Sequence, residues 1–165
     1  MKFCPQCGSP LTTTIQGGRE RLTCSAECGY VFWDNPVPVV AAIVELGDSV
    51  VLIRNKEWPE KYLGIVAGFL EKDESPESGI LRELKEELGL AGDIVGFIGN
   101  YAFPQKNQIV LAYHIRAHGD IVLGEELSAY KLVPPSELRP WSMGTGPAVK
   151  DWLKSRGESG HLRQA

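Results

Sequence analysis

Gly68-Phe-Leu-Glu-Lys-Asp-Glu74-Ser-Pro-Glu-Ser-Gly-Ile-Leu-Arg82-Glu83-Leu-Lys-Glu86-Glu87-Leu-Gly89-Leu90 decides how this chain is read. Ser75 is a good N-cap, Pro76 suits the first helical position and Gly89 suits the C-terminal stop. Between them Ile80, Leu81, Leu84 and Leu88 recur at helical spacing, which predicts a helix that buries one stripe. At roughly 100° per residue, Glu87 falls beside Ile80 at the edge of that stripe, with Glu83 about 40° further round and Glu86 about 60° beyond. Arg82 and Lys85 point more nearly to solvent. Three carboxylates therefore share one flank of the helix, and Glu74 adds a fourth in the loop before it.

Like charges at this spacing repel by a few tenths of a kcal/mol per pair on an exposed helix, and by more when desolvated. The arrangement has two readings: a solvated acidic face with Lys and Arg interspersed, or a nest for a divalent cation. The position of Glu87 at the stripe edge and the added Glu74 favour the cation.

The segment fills every specified position of the pattern G-x5-E-x7-R-E-U-x-E-E-x-G-U, where U is aliphatic. In this it resembles the Nudix hydrolases, which cleave nucleoside diphosphates linked to another group with Mg²⁺ or Mn²⁺. The resemblance implies an α/β fold, the family's α-β-α sandwich with a mixed sheet. Glu83, Glu86 and Glu87 are the expected Mg²⁺ or Mn²⁺ ligands, joined in relatives by the Gly68 carbonyl. The resemblance gives Arg82 an orienting role, and its alternative is an exposed i,i+4 pair with Glu86, worth little. Glu74 is expected to support the loop and partner Arg82. Many family members draw a general base, or another ligand, from a glutamate well after this motif. Glu125 and Glu126, in Gly124-Glu-Glu-Leu-Ser128, are the candidates, with two solvated loop glutamates as the alternative. Matching the neighbouring strand puts Ser128 where close relatives have a glutamate, which leaves the base open between these residues, Glu87 and bound water.

All four cysteines lie early, as Cys4-Pro-Gln-Cys7 and Cys24-Ser-Ala-Glu-Cys28, with a linker of hairpin size between the pairs. Gly8 and Gly29 each follow the second cysteine of a pair, where a knuckle turns tightly around an ion. Four thiolates so spaced suit a closed, structural Zn²⁺ site that stands in for a core too small to form alone. Two disulfides are the alternative, disfavoured by the lack of an export signal. A redox pair is disfavoured because no βαβ pattern follows. A nucleic-acid knuckle is disfavoured by scarce basic residues, chiefly Lys2, Arg19 and Arg21.

A chain of 165 residues with 43% hydrophobic and 23% charged content fits one ordinary domain plus a small appendage. Its net charge of −4 gives no reason to expect nucleic-acid or anionic-membrane binding. No apolar run reaches membrane-spanning length and the N-terminus has no signal-peptide core, so a cytoplasmic location is expected. Trp33-Asp-Asn-Pro36-Val-Pro38 reads as a junction. The expected organisation is a zinc ribbon over 1–33, a catalytic domain over 34–156 and a frayed tail over 157–165. Strands are predicted over 39–45, 49–54, 61–67, 94–101, 108–117 and 130–133. A helical turn is predicted over 136–138, with a final amphipathic helix over 147–155.

The ribbon followed by this motif is similar to the zinc-ribbon-bearing NADH and FAD pyrophosphatases of the family. That branch carries S-Q-P-W-P-F-P shortly after the motif; here Gly99-Asn-Tyr-Ala-Phe-Pro-Gln105 keeps only Phe103 and Pro104. Tyr101 and Phe103 could stack a base, or simply pack within a strand, and Trp58 and Trp141 could line the same cleft. The expected activity is hydrolysis of a dinucleotide coenzyme such as NADH or FAD to AMP and a second monophosphate. The alternatives are ADP-ribose as substrate, or a non-catalytic nucleotide-sensing domain. A small-molecule substrate and, from the family resemblance, a homodimer complete the expectation.

Overall fold

Residues 1–157 are described by the structure, a computed structural model. The chain divides into two units between Pro36 and Val37, a few residues past the expected junction. Of the expected tail, all but Gly157 lies outside the described residues.

The first unit is a three-stranded antiparallel sheet: Leu11–Gln16 (β1), Arg19–Cys24 (β2) and Val31–Phe32 (β3), in the order β1-β2-β3. Little apolar surface is buried here; Cys4 and Cys24 are the buried hydrophobic residues of the unit. Something other than a hydrophobic core must hold it, because so small a module seldom buries enough apolar area to be stable alone.

The second unit is built on Val37–Leu46 (β4), whose β-branched residues alternate between two cores. Val40, Ala42 and Val44 face one, while Val39, Ala41 and Ile43 face the other. This two-sided burial is why the strand reads as a continuous apolar run rather than an alternating one. The remaining strands are Ser49–Asn55 (β5), Val66–Phe69 (β6), Ala91–Phe103 (β7), Gln108–His118 (β8) and Leu127–Val133 (β9). They form a mixed sheet in the order β7-β8-β4-β5-β9, with β4 and β8 parallel and β6 paired to β4. Helix α1 (Pro76–Leu88) covers the first core with Ile80, Leu84 and Leu88; helix α2 (Gly146–Ser155) covers the second with Val149, Trp152 and Leu153. The result is the expected α-β-α sandwich. No helix among the described residues is long and apolar enough to cross a membrane.

One feature of the sheet places the acidic motif. β4 and β5 pair only next to their hairpin turn, through Glu45–Val50 and Leu46–Ser49. Beyond that they part, and β6 takes up the β4 edge from Val39 to Ala42, while the segment just before β6 touches β5 by a bridge between Gly64 and Ile53. The strand expected over 61–67 therefore lies later. Its first residues form a turn, with the Tyr62 amide donating to the Pro59 carbonyl at 2.9 Å. Strand β9 also begins before the expected residue 130, because β5 pairs with it as far as Asn55 opposite Leu127.

Candidate active site

Helix α1 starts where its caps dictate. Ser75 has extended backbone angles, its Oγ accepts from the Ser78 amide at 3.1 Å, and Pro76 follows. Gly89 ends the helix at φ 67°, a left-handed conformation cheap for glycine, and its amide donates to the Lys85 carbonyl. With Ile80, Leu84 and Leu88 locked into the core, the helix cannot rotate, and its acidic flank is turned toward β6.

Arg82 organises that flank. Its Nε donates to Glu74 Oε1 at 2.9 Å and its Nη2 to Glu74 Oε2 at 3.0 Å, while Nη1 reaches Glu83 Oε1 at 2.7 Å and Glu86 Oε2 at 2.9 Å. Nη2 also donates to the Phe69 carbonyl at 3.0 Å. One guanidinium thus ties the helix, the preceding loop and the end of β6 together, using the planar fork that lysine lacks. Hydrogen bonds from Arg82 and the Glu71 amide hold the Glu74 carboxyl below its usual range.

Glu83 and Glu87 are in a different electrostatic situation. Burial raises Glu83 despite the opposing pull of Arg82. Burial, then the neighbouring charge of Glu83, push Glu87 up to about 8, against a backbone hydrogen bond from Ala67. The buried Oε2 of Glu87 has no hydrogen-bond partner among the described residues. A buried carboxylate oxygen without a partner is expensive, and it lies next to a second half-desolvated carboxylate. Gly68, in β6, completes the cradle: a Cβ there would fall on the Glu83 carboxylate. These residues fit a hard divalent cation, which would supply the charge that the oxygen donors lack.

The loop before β9 closes the site. Val122 and Gly124 donate their amides to the carbonyls of Leu88 and Glu87, each at 2.9 Å, occupying acceptors that a helix C-terminus leaves open. Gly124 lies so close to the Glu86 carbonyl that a side chain would collide with it. Glu125 and Glu126 consequently line one cleft of ≈ 500 Å³ together with Gly68, Arg82, Glu83, Glu86 and Glu87. The Glu126 charge contributes to the upward shifts of both Glu83 and Glu87. Ser128 instead clamps Arg54, accepting from its Nε at 2.9 Å and donating to its carbonyl at 3.1 Å.

Tyr101 and Phe103 are not brought to this cleft. Both pack on the α2 core, where the Tyr101 hydroxyl donates to Asp151 at 2.9 Å and Phe103 lies against Gly144. Trp141 joins the same core. Of the two readings open for Tyr101 and Phe103, stacking or strand packing, their positions favour packing, since side chains alternate across β7 and these two fall on the inner face. Among the cleft residues not singled out from the sequence are Phe69 and Glu71. Both occupy unspecified positions of the motif. An exposed aromatic and a further acid in the motif loop were the available signals.

In the N-terminal unit the four cysteines converge, with all Sγ atoms within 4.8 Å of one another. Cys4 and Cys28 stand 3.5 Å apart, Cys7 and Cys24 3.3 Å, and none is in a disulfide. Gly8 and Gly29 adopt φ 74° and 89°, and the Gly8 amide donates to the Cys4 carbonyl at 2.9 Å. The Ser9 hydroxyl and amide draw the Cys7 thiol down to about 6. A cluster of four thiols of this size fits a tetrahedral zinc ion.

The family profile described as NUDIX domain matches residues 35–152. The chain belongs to the Nudix family. A second profile, the zinc-ribbon module described as Nudix N-terminal, matches residues 2–34, so the cysteine cluster is that of a Nudix zinc ribbon. Curated relatives include proteins named NAD-capped RNA hydrolase NudC. The one from Stutzerimonas stutzeri is 30% identical over 73% of this chain and 43% of its own length. The one from Pseudomonas putida KT2440 is 28% identical over 87% of this chain and 51% of its own. The chain thus spans about half the length of the curated relatives it matches. Among solved structures, a NUDIX hydrolase from Nitrosomonas europaea aligns with a TM-score of 0.77 at 24% identity, covering 98% of this chain and 97% of that one. An ADP-ribose pyrophosphatase from Streptococcus suis aligns at 0.62 and 17% identity, over 78% and 97%. At these identities the structural likenesses speak for the Nudix fold alone.

Proposed function

We propose that this Nudix domain is a metal-dependent nucleotide pyrophosphatase acting on a dinucleotide of the NAD(H) kind, with release of AMP and a second monophosphate. The observation that carries the reading is the partnerless, buried Glu87 Oε2 beside Glu83 and the side-chain-free Gly68. Glu83, Glu86, Glu87 and the Gly68 carbonyl would hold Mg²⁺ or Mn²⁺. When bound, the cation neutralises diphosphate oxygens and makes water a stronger nucleophile.

The chain's own residues do the rest. Arg82 fixes the Glu83 and Glu86 carboxylates and the Phe69 carbonyl in one arrangement, and Glu74 holds Arg82. Glu126 is the residue we assign to proton abstraction from the attacking water, with Glu125 as its neighbour on the same wall. Its side chain is exposed and its charge is felt at both buried glutamates. Phe69, 55% exposed at the cleft, offers a face for a flat ring. Zinc in the ribbon is assigned a structural role.

The relatives named NAD-capped RNA hydrolase support NAD(H) over ADP-ribose and FAD, and they add a second form of the same bond, an NAD cap on RNA. Every patterned carboxylate of the motif is present, which weighs against a purely sensing domain. A homodimer, from the family resemblance, and a cytoplasmic location, from the sequence, stay part of the proposal. The test is product analysis with NADH, FAD, ADP-ribose and NAD-capped RNA, each with Mg²⁺ or Mn²⁺. AMP from NADH, abolished by chelator and by Glu87→Gln, is the expected result for the free dinucleotide. Release of a 5′-monophosphate RNA would extend it to the cap. Turnover of ADP-ribose with NADH untouched would reverse the order of substrates, and no turnover of any would sink the proposal.

A further inference from the structure

The cleft supplies charge and geometry, but little that distinguishes one nucleotide from another. Apart from Phe69, its lining is carboxylates, Arg82, glycines and small aliphatic groups. The segment joining β5 to β6 is fastened directly beside it, because the Lys56 amide donates to the Glu126 carbonyl at 2.8 Å.

That segment is held in one shape. Asn55 accepts twice, from the Glu57 amide through Oδ1 at 2.9 Å and from the Trp58 amide through its carbonyl at 3.0 Å. Tyr62 donates its amide to the Pro59 carbonyl at 2.9 Å, and Arg54, already bound to Ser128, reaches the Glu60 carbonyl at 3.3 Å. The indole edge of Trp58 rests on Gly64, where a Cβ would stand 3.0 Å from Cη2 and Cζ3. Yet Trp58 is 42% exposed and Tyr62 52%, and neither belongs to either core. An ordered loop that keeps an indole in water gains little from burial. A fixed, flat ring two residues along from the Lys56–Glu126 bond can take up a heterocycle without first paying to order itself.

We propose that the 55–62 segment is the base-selecting wall of this cleft, with the Trp58 indole stacking on a nucleobase or nicotinamide ring of the bound diphosphate. This rests on the pyrophosphatase reading and narrows its substrates to diphosphates that carry an unsaturated ring.

The test uses the full chain with Trp58→Ala and Trp58→Phe. Stacking of this kind predicts a KM for NADH raised about tenfold in Trp58→Ala, with kcat changed less than about twofold. Trp58→Phe, which keeps a ring, recovers most of the loss. A wild-type KM in a folded Trp58→Ala protein overturns the inference. Should Trp58→Ala fail to fold, fluorescence titration with AMP and with nicotinamide mononucleotide decides. One of the two is expected to quench tryptophan emission, and the quench disappears in Trp58→Phe. A quench that survives in Trp58→Phe, or none with either ligand, overturns it. Trp58-dependent quenching in a chain that hydrolyses nothing leaves the stacking wall standing and removes the pyrophosphatase reading instead.

Discussion

Arg82 and Glu74 are joined by two parallel hydrogen bonds, Nε to Oε1 and Nη2 to Oε2, so that a residue of the helix and a residue of the loop behave as one rigid piece. The same guanidinium reaches Glu83, Glu86 and the Phe69 carbonyl. The four side chains are thereby positioned before any cation arrives.

Arg82→Lys keeps the charge and loses the fork. Its expected effect is a fall in kcat of about tenfold to a hundredfold, the range typical when groups that orient metal ligands are removed. The check is steady-state kinetics across a Mg²⁺ series. Restoration of wild-type kcat at any Mg²⁺ concentration would refute the orienting role.

Glu87 makes the stability of the metal-free protein fall with pH. Its carboxyl sits at about 8 in the folded state, raised by burial from an ordinary 4.5. Between those values the folded state binds more protons than the unfolded one. The contribution is therefore complete below about pH 4.5 and is lost as pH rises through about 8, by roughly a few kcal/mol. Glu87→Gln abolishes that slope, raising Tm at pH 8 without metal while removing both activity and the thermal stabilisation by Mg²⁺. Thermal melts at pH 5, 6, 7 and 8, with chelator and with Mg²⁺, read all of these at once. An equal slope in Glu87→Gln would assign the titration to another group.

Cys4→Ser removes one of the two buried sulfurs of the ribbon. The ribbon is expected to lose zinc and unfold, because a module with so little apolar core depends on its metal. Metal analysis and near-UV circular dichroism of the purified variant test this. A variant that retained a full zinc complement with an unchanged spectrum would contradict it.

How much of this was legible in the sequence depended on whether the cause was local. Helix α1 was readable to the residue because Ser75, Pro76 and Gly89 act within a turn of themselves. The convergence of the cysteines was readable because the spacing within each pair is itself the geometry of a knuckle. Strand β6 was misplaced because its limits depend on a distant vacancy, the stretch of β4 from Val39 to Ala42 that β5 leaves unpaired. Tyr101 and Phe103 stayed open between stacking and packing for a similar reason, since an aromatic in a strand does not announce which face is covered by a later helix. Phe69 and Glu71 were passed over because a motif states what must be present and is silent about the positions between.

The segment from Asn55 to Tyr62 folds back on itself through hydrogen bonds from Glu57 and Trp58 to Asn55 and from Tyr62 to Pro59, while the carboxylates hang on a different element. If the stacking proposal holds, substrate choice and bond cleavage would sit on different elements, and the 55–62 segment could be altered without moving a single carboxylate of helix α1.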